Sequence, residues 1–274
     1  MAIVTISCQM GSAGSSIGQA LAERLEYRYV DQDMISRAAA QYGVLEAKLT
    51  DLDETKPSFF ERFDVETRHY VTVLQSAVLD VAEQDNAVIM GRSGQVLLQR
   101  IAHVLRVFVR APFDLRVRRV MRKLADQGEA VDARTAAEIV RRNDQEKYGR
   151  MRYLFDVDWS DPALYDVVIN TEKVVPEAAV EVILGSLGRP ELVATDASRQ
   201  TVRDRALASR VRTALAAHPE IRKYRINVEA DRGVIRLEGT AALEKAAEVA
   251  RTVPGVVEVK GQLLEVPPIP PFVA

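Results

Sequence analysis

A mainly parallel α/β sheet with helices on both faces, followed by a smaller α+β unit, is the architecture that three features of the 274-residue sequence predict. Short β-branched runs alternate with longer helical patterns up to about residue 187, and such alternation implies crossover connections between parallel strands. A stretch rich in glycine, proline and small polar residues, 185–200, then interrupts the apolar periodicity. Beyond it an amphipathic helix, a hairpin signal at Asp231-Arg232-Gly233, a second helix and a last strand form a unit of about 65 residues.

The first strand is expected over 2–8 (AIVTISC), the second over 27–31 (YRYVD), the third over 86–91 (NAVIMG), the fourth over 103–111 (HVLRVFVRA) and the fifth over 165–170 (YDVVIN). Helices fit between them, from Ser15 to Leu25, Asp33 to Tyr42 and Val65 to Gln84, with an arginine-rich helical pair after the fourth strand. The predicted domains are 1–187, with a lid at about 113–155, a linker at 188–203, the small unit at 204–266 and a proline-rich tail at 267–274.

Hydrophobic residues make up 47% of the chain and charged residues 28%, the balance of a globular protein with a buried core. The formal charge of −2 offers no global attraction to nucleic acid, so no nucleic-acid partner is expected, and an anion site must come from local clustering. One cluster exists: residues 100–152 hold 14 Lys/Arg against 7 Asp/Glu. Cys8 is the only cysteine, which excludes an intrachain disulfide and fits a reducing compartment. With no signal-like start and no long apolar run, a cytoplasmic location is expected.

Residues 9–16, QMGSAGSS, sit between the first strand and the first helix. A phosphate loop grips its ligand with backbone N–H groups and a helix N-terminus, adds a lysine for charge and a hydroxyl for magnesium. Gly14 and Ser16 fit that pattern, whereas Gln9 stands at the first glycine and Ser15 at the lysine. Gly11, Ser12, Ala13, Gly14, Ser15 and Ser16 can still form an anion-binding nest. A strand-turn-helix without a ligand is the competing reading.

The run Ile3–Ile35, the stretch AVIMGRSGQVLL (87–98) and the stretch DWSDPALYDVVINTEKV (158–174) resemble, in that order, the cytidylate kinase-like family. The resemblance implies a nucleoside monophosphate kinase fold, ATP and Mg2+ as cofactors, and CMP or a related pyrimidine monophosphate as acceptor, in a bacterial, cytoplasmic protein. The family's loop carries lysine or arginine where this chain has Ser15, so a catalytically weak or inactive regulatory nucleotide binder is the alternative. RRNDQEK (141–147) resembles part of the lid motif and implies catalytic roles for Arg142, Asp144 and Lys147. Arg92 is implied as a catalytic residue on the acceptor phosphate, with Asp31, Asp33, Arg37 and Arg150 as further acceptor-side residues, and Ser16 with Asp31 as the metal side. Capping the following helix is the other reading of Asp31 and Asp33. The three histidines carry no metal-ligand spacing. Residues 206–266 resemble a BON domain, which implies phospholipid or protein contact; ligand sensing or self-association fits better here.

Overall fold

The computed structural model describes residues 2–31, 33–34, 37, 65–91 and 93–264, the side chains of 65–68 excepted. Strands β1 (Ile3–Cys8), β2 (Arg28–Val30), β3 (Ala87–Met90), β4 (Val104–Arg110) and β5 (Val167–Asn170) form one sheet in the order β2-β3-β1-β4-β5. All four pairings are parallel. The expected helix from Asp33 to Tyr42 lies largely outside the described residues. No helix of the described residues is long and apolar enough to cross a membrane.

Helices cover both faces, which explains why β1 and β3 read as nearly unbroken apolar runs. Helices α1 (Gly14–Leu25) and α6 (Pro176–Leu187) close one face, where Ile17, Leu21 and Ile183 pack on Val4, Ile6 and Val107. On the other face, α2 (Val65–Glu83) brings Val73, Ala77 and Val78 onto Ile3 and Ile89. A four-residue helix, α3 (Gly94–Leu97), follows β3. After β4, α4 (Phe113–Asp126) and α5 (Ala133–Phe155) form the arginine-rich pair, held to each other by Val117, Val120, Ala136 and Val140.

Helix α7 (Asp196–Ala217) begins inside the segment expected as linker. Thr195 and Ser198 form a reciprocal capping box at its start, so the small polar residues of 195–198 are helix-starting signals as much as loop signals. Its first turns bury Val202 and Ala206 against the α2 side of the sheet, and its later turns bury Val211 and Leu215 in the small domain. At the crossing with α2, Ser76 Oγ lies 2.8 Å from Ser209 Oγ and 2.9 Å from Thr213 Oγ1. Arg210 adds ion pairs to Asp80 and Glu83. Buried hydroxyls and charges that satisfy one another fix the register of the two helices, since each would be costly alone.

The small domain contains β6 (Ile226–Asp231), β7 (Val234–Gly239), α8 (Leu243–Arg251) and β8 (Glu258–Leu263). β6 pairs antiparallel with β7, and β7 pairs parallel with β8. The resulting α-β-β-α-β order is the one that the hydrophobic pattern predicts.

Burial lowers the pKa of His69, and lowers that of His103 against the upward pull of Asp85, whose Oδ1 lies 3.2 Å from its Nε2. Both folded values fall below the ordinary value of 6.5, so the fold binds fewer protons than the unfolded chain just below that pH. Stability is therefore expected to be level above pH 6.5 and to fall as the pH drops below it. Urea midpoints measured from pH 7.5 to 5.5 test this, and a His103→Gln variant should show a flatter profile.

Candidate active site

β1 is followed by β2 on one side of the sheet and its neighbour β4 by β5 on the other, so the strand order reverses between β1 and β4, and ligands in such sheets bind at the carboxyl ends beside that switch point. The loop there is shaped by backbone more than by charge. Gly11 has φ of +77°, and a Cβ on it would stand 2.6 Å from the Arg116 carbonyl oxygen. Gly14 has Cys8 Cβ 2.3 Å from where its own Cβ would be, so the first turn of α1 lies directly against β1. Ala13 caps α1 in the left-handed conformation, at φ of 67°, with no side chain bonding the first amides. Those amides face a cavity of about 470 Å³ formed by the loop, α4 and α5.

The loop's carbonyls are tied from behind. Ser12 Oγ donates to the Gln9 carbonyl at 2.7 Å, and the Gln9 side chain accepts from the Ala111 amide at 3.2 Å. Thr171 Oγ1 donates to the Ser12 carbonyl at 2.9 Å and receives Arg119 Nη1 at 2.9 Å. Arg116 reaches the Met10 carbonyl at 3.3 Å and grips Asp144 with two bonds of 3.1 and 2.8 Å. This last pair joins the loop to both helices of the arginine-rich pair, because Arg116 sits on α4 and Asp144 on α5.

Lys147 occupies the centre. Its Nζ donates to the Cys8 carbonyl at 2.8 Å and stands 5.6 Å from the Trp159 ring centroid. It lines the loop cavity and also a second cavity of about 220 Å³, on the α2 side. Cys8 and Ser15 are shared by both cavities too. The second cavity has polar groups from Ser7, Ser93, Gln95 and Arg150 and apolar walls from Tyr70, Leu74 and Met151. Its floor is held by Phe108, which stacks on Tyr165 at 4.8 Å and meets Trp159 edge-on at 5.1 Å. Burial lifts the Cys8 thiol above its ordinary pKa, with Lys147 pulling the other way, so Cys8 is a neutral wall at neutral pH.

The expected residues thus divide. Gly11, Ala13, Gly14, Ser15 and Ser16 line the loop cavity, while Ser12 is buried behind it. Lys147 and Arg150 lie on the second cavity, and Asp144 holds α4 and α5 together. Arg142 turns away: its side chain is 77% exposed and ion-paired with Glu146 one turn on. Asp31 does not join Ser16; its Oδ1 accepts the Met34 amide at 3.0 Å, the capping role, and it lines neither cavity. Asp33 and Arg37 are exposed, and Arg92 lies outside the described residues.

Four residues that sequence patterns did not single out take part. Thr171 holds the loop, Gln95 and Ser93 line the second cavity, and Asn143 lines the first with a buried amide oxygen that has no partner. Asn143 is inside RRNDQEK, so its position was visible, but only the α4–α5 packing tells which side of the helix faces in.

The donor set suits a magnesium ion carried by nucleotide phosphates. The loop cavity offers the hydroxyls of Ser15 and Ser16 and the unpaired Asn143 oxygen, and no carboxylate, among the described residues. Mg2+ keeps several waters and commonly takes substrate phosphates as ligands, so a carboxylate cage is not required.

The chain is similar to several known proteins. A cytidylate kinase from Sulfolobus acidocaldarius is 27% identical over 190 residues, covering 69% of this chain and 96% of that protein. One from Ignicoccus hospitalis is 28% identical over 184 residues, covering 67% and 97%. A crystal structure of an uncharacterized protein from Eubacterium ventriosum matches 69% of this chain and all of its own with a TM-score of 0.51 at 18% identity, a likeness of fold. The BON domain profile matches residues 203–267, which takes in the last turns of α7 and all of β6–β8. The profile of the cytidylate kinase-like family matches residues 3–173, from β1 through the loop, α4 and α5 to just past β5 and Thr171, and the chain belongs to that family.

Proposed function

We propose that the chain is a nucleoside monophosphate kinase that transfers the γ-phosphoryl group of ATP to CMP or a similar pyrimidine monophosphate, with Lys147 taking the place of the absent loop lysine. The observation that carries this reading is the position of Lys147 Nζ, at the junction of two cavities and 2.8 Å from the carbonyl at the base of the loop. ATP binds with its phosphates on the amides at the start of α1, and the acceptor monophosphate enters the second cavity. An acceptor oxygen attacks the γ-phosphorus while its bond to the β-phosphate oxygen breaks, so negative charge passes through the junction. Lys147 neutralises that charge, and the closed α4–α5 pair excludes water. Mg2+ supplies further charge neutralisation on the phosphates, with Ser16 as the adjacent protein hydroxyl. Gln95 is 2% exposed, accepts Ser7 Oγ at 3.0 Å and has only the Met151 sulfur, at 4.0 Å, near its amide nitrogen. Its remaining donor capacity suits the acceptor groups on a pyrimidine edge.

A coupled assay with ATP, Mg2+ and CMP, dCMP, UMP or AMP tests the reading. Turnover with CMP is expected; no turnover with any acceptor overturns it. Ser15 is exposed and lines both cavities, so Ser15→Lys adds a second cation at the junction and is expected to raise turnover or ATP affinity. The alternative, a catalytically weak nucleotide-binding regulator acting through the BON domain, is favoured by Ser15 itself and by α7, which contributes to both cores. Under it, calorimetry detects nucleotide binding while the assay stays silent.

A further inference from the structure

A third cavity, of about 400 Å³, lies where α2 meets the BON domain, with Thr72 on one wall and α7 on another. Arg212 of α7 enters it half-buried. Its Nη1 donates to the Val228 carbonyl at 2.9 Å, but its Nε is buried without an acceptor. Arg222 and Arg225 line the same space, and among the described residues none of the three arginines has a carboxylate within ion-pair distance. Glu238, the acidic residue of the lining, meets the Asn227 amide at 3.4 Å instead.

A guanidinium withdrawn from water without a counter-ion is costly, and burial lowers the Arg212 pKa with no acidic neighbour opposing it. An incoming anion removes that cost and finds a forked donor already anchored through Nη1. The space is larger than a bare phosphate needs, and Leu215, Ile221 and Leu264 give it an apolar floor. Tyr224, at the same site, presents an aromatic ring, while Asn227 and Glu238 offer a donor and an acceptor for a polar ring edge.

We propose that this cavity is a second, non-catalytic site for a small phosphorylated ring compound of the nucleotide class, its phosphate on Arg212 and Arg225 and its ring beside Tyr224. Because Thr72 belongs to α2, the site is complete only in the full chain. Two positions along that helix on either side, Tyr70 and Leu74 line the acceptor cavity.

Isothermal titration of the full chain with CTP, ATP, CMP and inorganic phosphate, with co-sedimentation on phosphatidylglycerol vesicles beside it, tests the proposal. The probes are run on the parent protein, on Arg212→Met and on the surface pair Arg222→Met/Arg225→Met. At least one nucleotide is expected to fill two sites, one of them weakened about tenfold or more in both variants. Turnover at the kinase site is read in parallel and does not depend on these arginines. The exposed pair keeps the test valid if Arg212→Met unfolds. The proposal is overturned if no nucleotide loses affinity in a folded variant, if inorganic phosphate binds as tightly as the nucleotides, or if the arginines bind only phosphatidylglycerol vesicles.

Discussion

Replacing Lys147 by Met is expected to lower kcat with CMP by about 10²–10³-fold, the usual effect of removing one preorganised charge donor from a transition state. Met keeps the length and apolar stem of lysine, so a sulfur–aromatic contact can replace the cation–π one to Trp159, while the bond to the Cys8 carbonyl is lost. KM for ATP should change far less, because the α1 amides proposed to hold its phosphates are untouched. An equal loss in KM and none in kcat would mean that Lys147 only binds ground-state phosphate. Rescue gives the sharper readout. Ser15 lines the same two cavities, so Ser15→Lys in the Lys147→Met background should recover part of the lost kcat. If the double variant is no better than Lys147→Met, charge at the junction is not what the lysine supplies.

The strands and the loop were legible in the sequence because both rest on local pattern. Strand β3, AVIM, is buried at every residue, and a run with no polar alternation can satisfy only a sheet covered on both faces. Loop geometry follows from Gly11 and Gly14 by the same local logic. The arginine-rich helical pair after β4 was legible, but not which arginines turn inward. Arg116 is 4% exposed and Arg142 carries a side chain 77% exposed, although both are arginines on amphipathic helices. The difference lies in Asp144, 28 residues beyond Arg116, and a contact at that separation leaves no periodic trace. The start of helix α7 was hidden for another reason: Thr, Asp and Ser serve loops and helix starts alike, and only the burial of Val202 and Ala206 against α2 decides between them.

The same pair of lid residues carries the second large effect, and it is asymmetric. The Arg116 side chain is 5% exposed and that of Asp144 26%. Removing the carboxylate leaves a buried guanidinium whose Nε already lacks a partner and whose one other bond is to the Met10 carbonyl. Removing the guanidinium leaves a carboxylate that can rehydrate. Asp144→Ala is therefore expected to destabilise the protein by about 2–4 kcal/mol and Arg116→Met by about 1–2 kcal/mol, since breaking a buried pair costs most when the better-buried charge is stranded. Arg116→Met also frees the Met10 carbonyl, so it should weaken ATP binding more than its smaller stability loss suggests. Urea unfolding of both single variants and the double variant, with ATP titrations alongside, measures both quantities. An Arg116→Met loss equal to or larger than that of Asp144→Ala would show that the deeper burial of the guanidinium does not set the cost of breaking the pair.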